Sequence, residues 1–145
     1  MIDPDIVIAR LQSLNLFKTV SGAADAAALQ GTGAALGGGP NAYVVPLANE
    51  AADPRSPGGP QVATATFGVL IMVRRNGDAK GGRTMDKLKP LQDDLLAGLL
   101  GWKPNDYFGP VWWRGGHLLG FEPSALWWLD SFASQSGIVP SSPVF

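Results

Sequence analysis

The sequence predicts an α+β domain in which a mostly antiparallel sheet of about four to five strands carries two main helices on one face. Two patterns support this fold class. In residues 63–74 every odd position from 65 to 73 is apolar, while the even positions are apolar only in the middle. This pattern is typical of a strand with one fully buried face and a second face covered over its centre. Residues 84–100 instead repeat leucine at helical spacing, at Leu88, Leu91, Leu95 and Leu99. Helices packed on one side of a sheet bury both patterns at once.

The other elements are shorter. Asp3 is a good N-cap and Pro4 suits the first helical position, so a helix is expected to run to Leu14 and to stop at Asn15. A bulge is expected at the glycines Gly115 and Gly116. The predicted order is helix 4–14, strand 17–20, short helix 23–29, strand 42–45, strand 63–74, helix 84–100, strand 111–121 and strand 125–132.

Proline and glycine set the expected boundaries. Pro46 ends the second predicted strand, and residues 49–60 are expected to form an exposed loop. Pro90 removes a hydrogen bond inside a helix, so either the continuous helix begins near Lys89 or Pro90 kinks a longer helix, and we expect the later start. Residues 134–145 are polar and contain proline. The predicted organisation is therefore a single domain over 1–133 and a carboxy-terminal arm over 134–145.

The composition indicates a chain that is partly covered by partners. Hydrophobic residues make up 46% and charged residues 16% of the 145 positions, against about a quarter charged in ordinary soluble domains. The net charge of −1 lacks the basic excess of a nucleic-acid reader. Basic residues do cluster between positions 74 and 89, and we count Arg74, Arg75, Lys80 and Arg83 as interface candidates. Because Asp78 and Asp86 lie among them, a solvated loop and helix start is the favoured interpretation.

The residue inventory argues against an enzyme and against a cofactor or metal. There is no cysteine, and His117 is the only histidine. It lies in a predicted strand, where packing or an interface is the commoner role. Asp93 and Asp94 are adjacent on a helix and diverge rather than converge. The glycine-rich segment 31–39 has no lysine-serine or lysine-threonine ending, so no phosphate-binding loop is expected.

No segment suggests export or membrane insertion. The amino terminus has neither a basic region nor a long apolar run, so no signal peptide is expected. No stretch reaches the ~20 apolar residues that cross a bilayer. We therefore expect a protein that is made in a cytoplasm and contacts no membrane.

Paired tryptophans are the most unusual feature. Trp112–Trp113 and Trp127–Trp128 are adjacent on predicted strands, so each pair places one indole on each side of the sheet. Either both faces are covered within the chain, or the second face docks a neighbouring subunit with tryptophan as an anchor. Val144 and Phe145 are apolar residues near the chain end and are further docking candidates.

The arrangement resembles the tail terminator and tail-completion proteins of long-tailed bacteriophages and phage-like particles. The features that carry the resemblance are the helix Ile6–Leu14 with Phe17 after it, Ala23-Ala24-Asp25, the strand Ala42–Pro46, the strand Phe67–Val73 and the helix end Leu99-Leu100-Gly101-Trp102-Lys103-Pro104. Together they cover most of the chain, and none is a catalytic signature.

The resemblance implies a virion protein of the tail or neck, assembled in the host cytoplasm. Such a subunit forms a homo-oligomeric ring, of six copies, that caps the tail tube, ends its polymerisation and joins the tail to the head connector. Its expected partners are itself, the tail-tube protein, a head-connector or neck protein, and double-stranded DNA that passes through the bore without sequence recognition. The alternatives are another head–tail joining or baseplate component, or a small tryptophan-based binding module.

Overall fold

A computed structural model describes residues 1–24, 39–75, 82–122 and 124–139. The short helix predicted over 23–29 and the glycine-rich segment 31–39 fall mostly outside these ranges. The described elements, in chain order, are α1 (Pro4–Leu14), β1 (Thr19–Gly22), β2 (Asn41–Ala51), β3 (Gln61–Arg74), α2 (Gly82–Leu99), β4 (Trp112–Phe121) and β5 (Ala125–Ile138).

The strands form one five-stranded sheet in the order β1-β2-β3-β5-β4. Strands β2, β3, β5 and β4 pair antiparallel, and β1 pairs parallel with β2, so the sheet is mixed. The predicted fold class, a strand-rich α+β domain with two main helices on one face, is confirmed. Strand β3 lies at the centre of the sheet, as expected for the strand with the most continuous apolar pattern.

Helix α1 begins and ends where its cap residues predict. The Asp3 side chain accepts a hydrogen bond from the Asp5 backbone N–H, 2.9 Å away, and Asn15 closes the helix in the left-handed conformation with φ of 54°. Its buried residues, Val7 and Leu11, are four positions apart and therefore lie on one face.

The main core lies between the helices and one face of the sheet. Leu88, Leu95 and Leu99 of α2 are buried in a single cluster, and Leu91 packs against it from a half-buried position. The odd positions of β3 face the same cluster; these are Ala65, Phe67, Val69, Ile71 and Val73. The predicted contact between the leucine stripe and this face of β3 is confirmed.

The expected late start of the second helix is wrong. Helix α2 runs continuously from Gly82, with Pro90 inside it. Proline removes the hydrogen bond to the carbonyl four residues earlier, which belongs to Asp86. Both Pro90 and Asp86 are exposed, so water can satisfy the freed carbonyl and reduces the penalty that we expected to end the helix.

Strand β2 likewise continues past the proline that was expected to end it, and reaches Ala51. Among the described strands, β1 pairs with β2 only from Asn41 to Val44, so at Pro46 strand β2 has a described partner on one edge alone, where the missing N–H is tolerated. The register with β3 shifts between Pro46 and Ala48. The loop that follows is therefore shorter than the predicted 49–60.

The described chain also continues the sheet into the predicted arm. Strand β5 extends to Ile138, and Ser134 is fully buried with its hydroxyl donating to the Gly109 carbonyl at 2.7 Å. Residues 134–138 therefore belong to the sheet, because β3 pairs with them over their whole length. The rest of the arm, from residue 140, lies outside the described ranges.

A smaller apolar cluster lies on the opposite face of the sheet. Its buried members are Tyr43, Leu70, Met72, Ala125 and Trp127, with Val45 and Leu129 packed against them. The two clusters account for the apolar centre on both faces of β3. In the described ranges, neither helix is apolar over enough of its length to cross a membrane.

Candidate assembly surface

Exposed apolar side chains concentrate on the edge strand β4. Among the described residues, five of the twelve large apolar side chains that are exposed lie on this one strand. We call them the β4 edge surface: Trp112, Trp113, Leu118, Leu119 and Phe121. A strand with so many exposed apolar residues is the best candidate in the described chain for contact with another protein.

Strand β4 also offers unpaired backbone groups. It pairs with β5 on one side and is the last strand in the sheet order, so its outer edge has no strand partner within the described ranges. Proteins commonly protect such edges with charged residues, prolines or bulges. Register shifts occur between Trp113 and Gly115 and between Leu118 and Gly120, and the first confirms the bulge predicted at the glycines. Arg114 is the only charged residue on the strand at neutral pH, so the edge is weakly protected by charge.

A buried carboxylate on the neighbouring strand β5 contacts this surface. Asp130 of β5 is 0% exposed, and its Oδ1 accepts hydrogen bonds from Trp113 Nε1 at 3.2 Å and from Gln92 Nε2 at 3.0 Å. The group therefore links β4, β5 and α2. Asp130 Oδ2 and Trp128 Nε1 are both buried and have no hydrogen-bond partner among the described residues.

The absence of a side chain at Gly116 leaves room for the Asp130 carboxylate. It lies opposite Asp130 in the β4–β5 register, and a Cβ placed on it would stand 2.2 Å from Asp130 Oδ1 and 2.9 Å from Trp128 Nε1. Both are closer than van der Waals contact allows. The carboxylate, held by two hydrogen bonds, and the indole would have to move for any larger residue to fit.

Replacing Gly116 with alanine is therefore expected to lower the free energy of unfolding by about 1–3 kcal/mol, the usual penalty of overpacking. Chemical denaturation measured by circular dichroism would show the change. Gly137→Ala is the matched control, because Gly137 also lies in a strand of the sheet, β5, and a Cβ there meets nothing within 4 Å. Equal stability of the two variants would contradict the crowding at Gly116.

Arg75 contacts the carboxyl end of β4 and the residues that follow it. Its guanidinium carbon lies 3.5 Å from the centre of the Phe121 ring, and its Nη1 donates to the Glu122 carbonyl at 2.7 Å. The Arg75 backbone N–H donates to the Ser124 carbonyl at 2.9 Å. These contacts hold the connection between β4 and β5, which gives this predicted interface arginine a role within the subunit.

The other predicted interface residues are distributed unevenly. Trp112 is 38% and Trp113 42% exposed, whereas Trp127 is 2% exposed and Trp128 is half-buried in the main core. Only the first pair has both tryptophans exposed, and the interface role of both pairs stays a prediction. Arg74 and Arg83 are exposed at the end of β3 and the start of α2. Lys80, Val144 and Phe145 lie outside the described residues.

Asp130 was not among the predicted residues, although the sequence carries a signal for it. The alternation that places Leu126, Trp128 and Phe132 on the buried face of β5 places Asp130 on the same face. A carboxylate in the buried register of an apolar strand is unusual, because such groups are rarely buried without a partner. That signal could have located the polar group behind β4.

The polar residues that the sequence analysis considered for catalysis lie on the surface of separate elements. His117 is exposed on β4 opposite Leu129, and Asp93 and Asp94 are exposed on α2. Within the described ranges, no three histidine, aspartate or glutamate side chains are grouped so that they could hold a metal ion. The arrangement can therefore bind another protein through an apolar strand edge that is fixed from behind by Asp130 and from one end by Arg75.

Comparison with known proteins identifies the family of the chain. No curated protein sequence matches the chain significantly. The family model described as phage tail terminator protein matches residues 1–140, which is nearly the whole chain. Proteins of this family are structural components of the tail and are not known as enzymes. The chain therefore belongs to the phage tail terminator family.

Proposed function

We propose that this chain forms a closed homo-oligomeric ring of six copies that caps the tail tube, ends its polymerisation and joins the tail to the head connector. The observation that carries the proposal is the family match over residues 1–140. A terminator has to contact the tail tube and stop its growth, and a ring on the end of the tube provides a matching surface that does not repeat further.

The β4 edge surface supports self-assembly. A ring needs a heterologous contact, in which one surface of each subunit binds a different surface of the next, and the contact closes after a fixed number of copies. An edge strand can provide such a contact, because it binds through backbone hydrogen bonds as well as through side chains. Closure would cover the apolar edge in every subunit, which protects it from uncontrolled pairing.

The charge of the chain suits a conduit for DNA. Each phosphate that a protein neutralises adds to its affinity for DNA, so a strongly basic wall would hold the genome during passage. The net charge of −1 provides no such excess. We propose that double-stranded DNA passes through the bore without sequence recognition.

Two measurements test the proposal. The mass of the purified protein by native mass spectrometry should correspond to a single closed species of six copies across protein concentrations. In particles produced without this chain, tails should exceed their normal length in electron micrographs, and supplying the chain from a plasmid should restore it. A continuous series of oligomers would contradict ring closure. Tails of normal length without the chain would contradict the terminating role and favour a different head–tail joining or baseplate component.

A further inference from the structure

Burial of a carboxylate at position 130 is weak evidence that it stabilises the fold. Burying an ionised carboxylate away from water is costly unless hydrogen bonds and an opposite charge compensate it. Asp130 is fully buried and its Oδ2 has no hydrogen-bond partner among the described residues. Proteins in which well-packed apolar side chains replace a buried charged group are often as stable as the original protein or more stable. We therefore look for a role of Asp130 in the side chains that its carboxylate orients.

Asp130 accepts a hydrogen bond from the indole of Trp113, which is the exposed candidate for an interface anchor. Trp113 projects from the edge strand with 42% of its surface exposed, and the 3.2 Å hydrogen bond from its Nε1 to Asp130 Oδ1 fixes the indole from the inner side. Gln92 donates to the same oxygen from α2, and complete burial confines the carboxylate even without that bond. Without this bond, only packing over the covered part of its surface would hold the indole of Trp113.

We infer that Asp130 is a positioning residue of the assembly surface, which holds Trp113 in one orientation so that the neighbouring copy of this chain meets a preformed anchor. The inference rests on the proposed ring. Fixing a side chain before binding removes the entropy loss that binding would otherwise cause, and this preorganisation increases affinity without adding a contact. The orientation of a tryptophan matters here because tryptophan is among the side chains that contribute most of the binding energy at many interfaces.

The choice of variants separates positioning from general stability. Asp130→Ala removes the acceptor. Asp130→Asn keeps an oxygen that can accept from Trp113 and Gln92, with its amide group in the place of the unpartnered Oδ2. Gln92→Leu is the matched control, since it removes the other hydrogen bond to the same carboxylate and leaves the bond to Trp113. Trp113→Phe keeps an aromatic ring but removes the N–H, and Trp113→Phe with Asp130→Ala completes a double-mutant cycle.

Subunit association is the first readout. We expect Asp130→Ala to weaken association by about twofold to tenfold per contact, the effect of leaving one such side chain mobile. Asp130→Asn and Gln92→Leu should associate like the parent. In the Trp113→Phe background, Asp130→Ala should cause no further loss. An equal loss in both backgrounds would overturn the inference, because Asp130 would then act independently of Trp113.

The second readout follows the indole itself. With 5-fluorotryptophan incorporated, Trp113 should give one sharp ¹⁹F resonance in the parent, in Asp130→Asn and in Gln92→Leu, assigned by its loss in Trp113→Phe. In Asp130→Ala it should broaden or shift towards the position of a mobile, solvated tryptophan. This measurement uses the subunit at concentrations below assembly. The resonances of the other four tryptophans report whether Asp130→Ala is folded, so a mobile Trp113 can be told apart from an unfolded subunit.

The outcomes distinguish this inference from the proposed function. A parent protein that stays monomeric at all concentrations would contradict the ring, whatever the state of Trp113. A parent that forms rings, together with an unchanged Trp113 resonance and unchanged association in Asp130→Ala, would overturn the positioning role alone.

Discussion

Replacing Leu95 with alanine is expected to lower the free energy of unfolding by about 2–5 kcal/mol, because it leaves a cavity in the main core. Leu95 is 0% exposed and packs in the cluster that joins both helices to the sheet. In a domain of this size each kcal/mol shifts the melting temperature by roughly 3 °C. Thermal melting followed by circular dichroism measures the change directly.

The control for this prediction is Leu100→Ala. Leu100 is only five residues further along but is 46% exposed, so its truncation should change stability by no more than about 0.5 kcal/mol. Similar melting temperatures for the two variants would mean that Leu95 does not lie in the core, and the contact between α2 and β3 would have to be revised.

Patterns that extend over many residues predicted the fold well. The two-faced apolar run of 63–74 became the central strand β3, and the leucine repeat became the buried face of α2. Both signals repeat several times within one element, so a single exception does not change the pattern. The caps of α1 were equally informative, because Asp3, Pro4 and Asn15 each have a specific role at a helix end.

Boundaries set by single prolines were less predictable. Pro46 and Pro90 were both expected to end an element, and both lie inside one. The effect of proline depends on whether the missing N–H faces a partner or solvent, and this is decided by tertiary position. Within the described ranges, β2 pairs with β3 alone at Pro46, and Pro90 lies on the exposed side of its helix.

The candidate surface was predictable in part. The sequence marked Trp112 and Trp113 as unusual, but it could not separate them from Trp127 and Trp128, because both pairs alternate across a strand. What separates them is the position of each strand in the sheet. Strand β5 lies between β3 and β4 and is covered on both faces at Trp127 and Trp128, whereas β4 is at the edge.

The largest effect on assembly is expected from a charge placed on the β4 edge surface. Leu118 is 50% exposed in the subunit, so Leu118→Glu should change the stability of the monomer by no more than about 0.5 kcal/mol. If a neighbouring subunit covers this position, the carboxylate becomes buried without a partner. That penalty is about 3–5 kcal/mol, which weakens association by roughly a hundredfold to a few thousandfold per contact.

Leu100→Glu is the matched control for this prediction, since it makes the same substitution at a similarly exposed leucine that lies outside β4, directly after α2. Native mass spectrometry should show Leu118→Glu as a folded monomer and Leu100→Glu as the parental ring. In complementation, only Leu118→Glu should fail to restore normal tail length. If Leu118→Glu assembles and restores tails as well as Leu100→Glu does, the ring contact lies away from the β4 edge surface, and the apolar side chains on that strand have to face another component of the tail.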